Sequence, residues 1–187
     1  LIMARYTNLF LDEHFGDNSG GTVYDFNKIT GLSQTHNGTA EGLKLNTGFS
    51  YHDTDFQDLG DDKEQYRWMW LLQNGRDRDD YSGLITLAKT LGLTGADLEQ
   101  QANQVLDVDQ FMRTFAFMSL VGANDAYSQG MGGAPHNIDF YAPPDNGKII
   151  ALPWDWDDAF VNRPYDANLW GNKNIANLIR RPVNTRI

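Results

Sequence analysis

The stretch DVDQFMRTFAFMSLVGAND, residues 107 to 125, decides the architecture, because it carries the strongest helical pattern in the chain. Apolar side chains recur there at spacings of three and four residues from Val108 to Met118, as on one face of an α-helix. Phe117, Leu120 and Val121 widen that apolar stripe. The pattern predicts a helix over about Val108 to Val121 that is buried on most sides.

A polar loop follows this helix, and a β-hairpin follows the loop. The loop begins with Asn124-Asp125 and contains the glycine-rich stretch GMGGAP. Two short apolar segments, Ile138 to Tyr141 and Lys148 to Leu152, flank the turn sequence PPDNG. This spacing predicts two antiparallel strands joined by a turn.

The first strand of the predicted hairpin alternates polar and apolar side chains. Asn137, Asp139 and Tyr141 share one face, whereas Ile138 and Phe140 share the other. We therefore expect the polar set to point away from the core.

The second strand runs into a carboxylate-rich sequence, PWDWDD, at residues 153 to 158. If the backbone stays extended there, Asp155 and Asp157 face one way and the two tryptophans face the other. Two carboxylates about 4 Å apart repel by roughly 4 kcal/mol at an effective dielectric constant of 20. A cation between Asp155 and Asp157 would relieve that repulsion.

Shorter elements are expected upstream of the central helix. Residues 1 to 46 are rich in turn-forming residues, which predicts short strands such as Thr22 to Phe26 or an extended connector. Three helices are predicted at about Lys63 to Asn74, Tyr81 to Leu91 and Ala96 to Leu106, the last behind the cap-like pair Thr94 and Asp97. The expected fold class is α+β.

Length and composition narrow the function classes. The 187 residues fit one domain, and a net charge of −10 argues against nucleic acid as the main partner. The chain has no cysteine, which excludes disulfides, thiolate metal sites and cysteine nucleophiles. No apolar run approaches the roughly 18 residues of a transmembrane helix, so we expect no membrane span.

The order of the parts suits phosphoryl transfer. In that reaction one carboxylate orients the attacking hydroxyl, while an Asn and a second carboxylate hold magnesium against the nucleotide phosphates. Because Mg²⁺ needs only one or two protein carboxylates beside waters and phosphate oxygens, a sparse set of ligands is enough.

The segment DVDQFMRTFAFMSLVGANDAYSQGMGGAPHNIDFYAPPDNGKIIALPWDWDDAF resembles the catalytic segment of the CotH-type spore coat kinases. The ending PWDWD is its most specific part. Weaker similarity covers FLDEHFGDNSGGTVYDF, which resembles the connector out of the family's N-terminal lobe, and DDYSGLITLAKTLG, which resembles its helical middle. The resemblance extends over roughly Phe10 to Phe160.

The resemblance implies an atypical protein kinase-like fold with a mostly helical C-lobe, a short β-hairpin at the active site, and use of ATP with Mg²⁺ or Mn²⁺. Matched by position, Asp125 is the catalytic-loop aspartate and Asn137 the metal-binding asparagine that closes that loop. Asp155 is the metal-binding aspartate after the hairpin, and Asp157 is the second acid of the motif. Ile149 stands where the family commonly has a tryptophan against the adenine, so we expect apolar contact there in place of stacking.

The implied activity is transfer of the ATP γ-phosphate to Ser or Thr of coat or surface proteins. The implied partner is a protein substrate, for which a basic, Ser/Thr-rich chain suits the acidic composition, in a spore coat, on a cell surface or in a secreted form. The phosphate-binding Lys and its Glu partner belong to the family's N-terminal lobe. By this match that lobe lies upstream of Leu1, and residues 1–187 form a single domain that is a fragment of a larger kinase-like domain.

Two other functions remain open on the sequence. One is a catalytically inactive kinase-like module that acts in coat or surface assembly. The other is an acidic calcium-binding surface domain built on Asp53 to Asp62, where Asp53 and Asp55 have the opening spacing of an EF-hand. The glycine required at the sixth position of such a loop is replaced by Asp58, which argues against that site.

Overall fold

A four-stranded antiparallel sheet organises the fold. The computed structural model describes residues 5–26, 36–38, 42, 57–67, 69–121, 123, 137–144, 147–156 and 159–160. In chain order the elements are α1 (Asn8–Phe15), a 3₁₀ turn (Gly16–Asn18), β1 (Thr22–Phe26), α2 (Lys63–Arg67), β2 (Trp70–Leu72), α3 (Ser82–Gly92), α4 (Gly95–Val105), α5 (Val108–Leu120), β3 (Ile138–Ala142) and β4 (Ile150–Pro153). This composition confirms the α+β class.

The sheet joins segments that are far apart in the sequence. Its strand order is β2-β1-β3-β4. The β3-β4 hairpin forms as predicted, with Phe140 opposite Ala151. β1 is the predicted strand, and it lies between β2 and β3. The hairpin is therefore half of a larger sheet rather than an isolated ribbon.

The helix predicted over Lys63 to Asn74 is wrong in its second half. The helical turn α2 ends at Arg67, and Trp70–Leu72 form β2 instead. Trp70 is only 1% exposed, and its ring stacks on Phe140 with centroids 5.2 Å apart. Pairing with β1 supplies the backbone hydrogen bonds and buries this large ring, which outweighs local helix preference.

The turn-rich N-terminal region contains a helix that the sequence pattern did not reveal. α1 covers Asn8–Phe15, and its only fully buried residue is Leu11. Leu11 packs in a small cluster with Val23, Tyr141 and Leu152 on the sheet face opposite α5. One buried residue in eight produces little periodicity, so the helix depends on tertiary packing.

α5 confirms the strongest helical prediction, although the burial predicted for it is wrong in part. Phe111, Phe115 and Met118 are buried against the sheet, and the Phe111 ring stacks on Phe140 at 5.7 Å. In contrast, Phe117 is 49% exposed and Leu120 is 62% exposed. The helix therefore buries one face rather than most of its surface.

Helix capping also differs from the predicted pattern. Thr94 occupies the N-cap of α4 but makes no side-chain cap hydrogen bond. At the start of α5, the Asp107 Oδ1 atom accepts a hydrogen bond from the backbone N–H of Gln110 at 3.0 Å. Asp107 therefore caps the helix that leads toward the predicted catalytic loop.

The polar face of β3 is not solvated, which corrects the sequence expectation. The alternation holds, since Ile138 and Phe140 join the main core and Tyr141 joins the opposite cluster. Asp139 and Tyr141 are nevertheless buried, because that face is covered by α1 and its flanking residues.

Among the described residues, no helix is long and apolar enough to cross a membrane.

Candidate active site

The base of the hairpin brings Asn137 and Asp155 together. Asn137 immediately precedes β3, and Asp155 lies two residues after the end of β4. The backbone N–H of Trp154 donates to the carbonyl oxygen of Asn137 at 3.1 Å. This bond extends the ladder by one step, so two sequence-predicted metal ligands stand on adjacent strand ends.

Both of these residues adopt left-handed backbone conformations. The φ angle is 59° at Asn137 and 52° at Asp155. Asn and Asp tolerate this region better than other non-glycine residues. The extended backbone expected through PWDWD is therefore wrong at Asp155, and the chain turns there. Asp157 lies outside the described residues, so its predicted side of the chain is not observed.

The segment after Asp155 returns to the C-terminal end of α5. The Trp156 ring lies against the Phe117 ring with centroids 5.3 Å apart. The backbone N–H of Phe160 donates to the carbonyl oxygen of Val121 at 3.0 Å. The helix end and the hairpin base are thus neighbours. Asp125, four residues beyond Val121, lies outside the described residues.

Ile149 lies at the other end of β4. It is 4% exposed, its N–H donates to Val105 at 2.8 Å, and its carbonyl accepts from the Asp107 N–H at 3.0 Å. Its side chain borders a cavity of about 480 Å³ that is also lined by Arg78, Ser82 and Gln101. Because strands rise by about 3.3 Å per residue, the six residue-to-residue steps from Ile149 to Asp155 span at most about 20 Å. A nucleotide that contacted both would lie along β4.

Sequence reasoning missed a pair of adjacent carboxyl groups, of which Asp139 is buried and Asp25 is half-buried. Asp25 of β1 and Asp139 of β3 are direct partners in the strand register, and their side chains are hydrogen-bonded to each other. The Gln73 amide Nε2 also donates to Asp25 at 2.7 Å. Burial and the adjacent Asp25 charge raise the pKa of Asp139 to about 8. Such a pair shares one proton near neutral pH.

These carboxyls line a second cavity, beside the hairpin base. Its volume is about 380 Å³, and Arg5, Tyr6 and Trp154 contribute to its wall. The Tyr6 hydroxyl donates to the carbonyl oxygen of Pro153, and its ring meets the Trp154 ring edge-on at 6.0 Å. Burial, and secondarily the Asp139 charge, raise the pKa of Tyr6 above its usual range. Each of the four strands therefore contributes to the wall of this cavity, either with one of its own residues or with the residue that follows it.

The donor set at the hairpin base suits a hard divalent cation. No group of three or more His, Asp or Glu side chains with metal-binding geometry occurs within the described part of the chain. Mg²⁺ does not require one, because it keeps several waters and takes phosphate oxygens from its nucleotide. An amide oxygen from Asn137 and a carboxylate from Asp155 are the ligand types that this ion accepts.

An α+β chain whose longest described helix ends beside the base of a two-stranded hairpin has the arrangement expected of a kinase-like protein. The family model described as CotH kinase protein matches residues 1–185, and the chain belongs to this family. The match confirms the resemblance and extends it beyond Phe10 to Phe160 to essentially the whole chain. A search of curated proteins finds no match.

Proposed function

We propose that this chain is the catalytic segment of an ATP- and Mg²⁺-dependent protein kinase that phosphorylates Ser or Thr. Family membership supports a kinase-like phosphotransferase. The observation that carries the finer proposal is the junction of α5 with the hairpin base. Phe160 is bonded to the end of α5, and Trp154 is bonded to Asn137, so the chain around Asp155 is tied on both sides.

This junction is what phosphoryl transfer needs, because catalysis depends on positioning and on electrostatic stabilisation of the phosphates. In the proposal Asp125 orients the attacking hydroxyl from the loop after α5. Asn137 and Asp155 hold the metal, with Asp157 as a further acid beside it. Mg²⁺ neutralises charge on the nucleotide phosphates. Ile149 makes apolar contact with the nucleotide at the far end of β4.

The proposed substrate is a basic protein rich in Ser and Thr. With a net charge of −10, this chain attracts a basic partner and repels an acidic one. The family name suggests a role in a spore coat, and a cell-surface or secreted location is equally consistent with the proposal.

Calorimetry and phosphate transfer on the full-length protein test this function. MgATP is expected to bind, and Asp155→Asn is expected to weaken binding at least tenfold. Asp97→Asn is the matched control, because Asp97 is an exposed carboxylate in the first turn of α4, outside the proposed site. Undiminished metal-dependent binding in Asp155→Asn would refute the metal assignment.

Transfer of labelled phosphate to a basic Ser-rich protein is the second readout. We expect transfer by the wild-type protein and loss of transfer in Asp125→Ala. Transfer that Asp125→Ala leaves unchanged would refute the catalytic role proposed for Asp125.

The alternative is an inactive kinase-like assembly module. One observation favours it: Ile149, in place of the family's usual tryptophan, offers the nucleotide only a small apolar surface, and that side chain is almost fully buried. Binding of the basic partner with no phosphate transfer in any buffer containing Mg²⁺ or Mn²⁺ would select this function.

A further inference from the structure

One side chain of α5 completes the outer edge of β4. The Gln110 Oε1 atom accepts a hydrogen bond from the backbone N–H of Ala151 at 2.8 Å, and its Nε2 donates to the Ala151 carbonyl oxygen at 2.6 Å. Nε2 also lies 3.0 Å from the Thr114 Oγ1 atom on the same helix. The amide thereby makes the two bonds that a neighbouring strand would make.

β4 needs such a partner because it is an edge strand. It pairs with β3 on one side, and its other side is the end of the sheet. Unpaired backbone groups on a half-buried edge cost stability unless something satisfies them. Gln110 satisfies Ala151, and two residues earlier Ile149 bonds to Val105 and Asp107.

The local sequence at the start of α5 has the spacing of a capping box, with Asp107 three residues before Gln110. In a capping box the Gln side chain would return to the N–H of its own cap residue. Here the Asp107 N–H bonds to Ile149 instead, and the Gln110 side chain bonds to Ala151. Both groups are used to attach the helix to β4.

This attachment sets the position of the helix relative to the strand. Each residue of an α-helix rises by about 1.5 Å, so even a shift of one residue would move the end of α5 by that distance. α5 leads toward Asp125, whereas β4 leads to Asp155. A misplacement near 1 Å can cost on the order of a hundredfold in rate.

We propose that Gln110 is a positioning residue that holds the C-terminal end of α5 in register with the hairpin base. The inference rests on the proposed kinase function. Gln110 contacts neither nucleotide nor substrate in this proposal, so it acts on turnover through the position of the helix end that precedes Asp125 in the sequence, rather than on binding at Asn137 and Asp155.

Gln110→Leu in the full-length protein tests the proposal, because leucine keeps a similar size but makes neither backbone bond. Thr114→Val is the matched control: it removes the other partner of the same amide and leaves the bonds to β4 in place. Gln110→Glu is the second variant if the leucine variant does not fold, since it keeps the side-chain shape and loses the donor to Ala151.

In Gln110→Leu we expect kcat to fall at least tenfold while the dissociation constant of MgATP stays within twofold of wild type. Thr114→Val is expected to keep kcat within twofold. A kcat within twofold of wild type in folded Gln110→Leu, or equal losses in both variants, would overturn the positioning role.

Amide hydrogen exchange separates this inference from the proposed function. Mass spectrometry of a peptide that contains Ala151 should show at least tenfold faster exchange of one amide in Gln110→Leu, and no change in Thr114→Val. If the wild type transfers no phosphate but exchange in Gln110→Leu rises as expected, the kinase assignment fails, whereas the attachment of α5 to β4 by Gln110 is supported. Unchanged exchange in Gln110→Leu would refute this attachment even if the protein is an active kinase.

Discussion

One face of the sheet packs on α5 through stacked aromatic rings, whereas the opposite face packs on α1 and holds two carboxyl groups. On the first face Trp70, Phe111 and Phe140 form a continuous stack. On the second face the buried Asp139 and the half-buried Asp25 lie beside a cavity. The same strands supply both faces, because successive side chains of a strand point in opposite directions.

This difference indicates that one face of the sheet mainly stabilises the fold, whereas the other carries the candidate functional groups. The aromatic face excludes water and contributes most of the apolar burial, which stabilises the fold. The carboxyl face contains groups that cost free energy to bury and a cavity partly lined by Trp154. Buried polar groups that are kept despite their cost mark a candidate functional side of the sheet.

The largest expected effect tests the aromatic face. Phe111→Ala should lower the free energy of unfolding by about 3 to 5 kcal/mol, since Phe111 is fully buried and in ring contact with Phe140. Leu11→Ala on the carboxyl face should cost about 2 kcal/mol, at the low end for such changes, because α1 buries only that residue fully. Chemical denaturation of both variants measures the two losses.

Met112→Ala serves as the control on the same helix, because Met112 is 47% exposed and should cost less than about 1 kcal/mol. A loss in Leu11→Ala as large as in Phe111→Ala would mean that the two faces contribute equally to stability.

The second effect is a pH dependence that belongs to the carboxyl face. The folded state raises the pKa of Asp139 to about 8 from an ordinary value of 3.8, so between these two pH values it binds a proton that the unfolded state releases. Stability contributed by that proton is present at low pH and is lost as the pH rises through about 8. The slope is at most about 1.4 kcal/mol per pH unit for one proton.

Asp139→Asn should flatten this dependence, since an amide keeps a donor to Asp25 without titrating. Thermal unfolding of both proteins from pH 5 to pH 9, in the presence of a chelator, measures it. If wild type and variant lose stability in parallel over this range, the pair does not share a proton.

The smallest effect concerns a single hydroxyl beside the cavity. Tyr6→Phe removes the donor to the Pro153 carbonyl and should cost about 1 kcal/mol, the usual net value of one hydrogen bond. Tyr24→Phe is the comparison on the other face, because its hydroxyl donates to the Asp80 carbonyl at 3.0 Å. Thermal melting should show similar small shifts for both, and a loss near that of Phe111→Ala would show that Tyr6 is a core residue.

Local patterns predicted the elements that carry strong periodicity or turn chemistry. α5, the β3-β4 hairpin and β1 were readable because each shows its own period over consecutive residues. α1 and β2 were not, since α1 has one fully buried residue and β2 has three residues in all. Elements this small form because neighbours from elsewhere in the chain cover them.

The candidate site divides in the same way. Asn137 and Asp155 are predicted from the order of motifs, and the structure places them on adjacent strand ends. Their roles as metal ligands stay predictions, as do the roles of Asp125 and Asp157. The carboxyl pair was missed because Asp25 and Asp139 meet only through the pairing of β1 with β3. The alternation of side chains within one strand can be predicted from the sequence, but the order of the strands in the sheet cannot.

The sequence by itself determined the family, the central helix, the hairpin and the acidic, cysteine-free composition, because motifs and periodicity are local properties of the chain. Only the tertiary structure decided that Gln110 bonds to β4, that the polar face of β3 is buried and that Asp25 and Asp139 meet across two paired strands. Each of these depends on which distant segments pack together, and that choice is made by the total free energy of the folded chain rather than by any one segment.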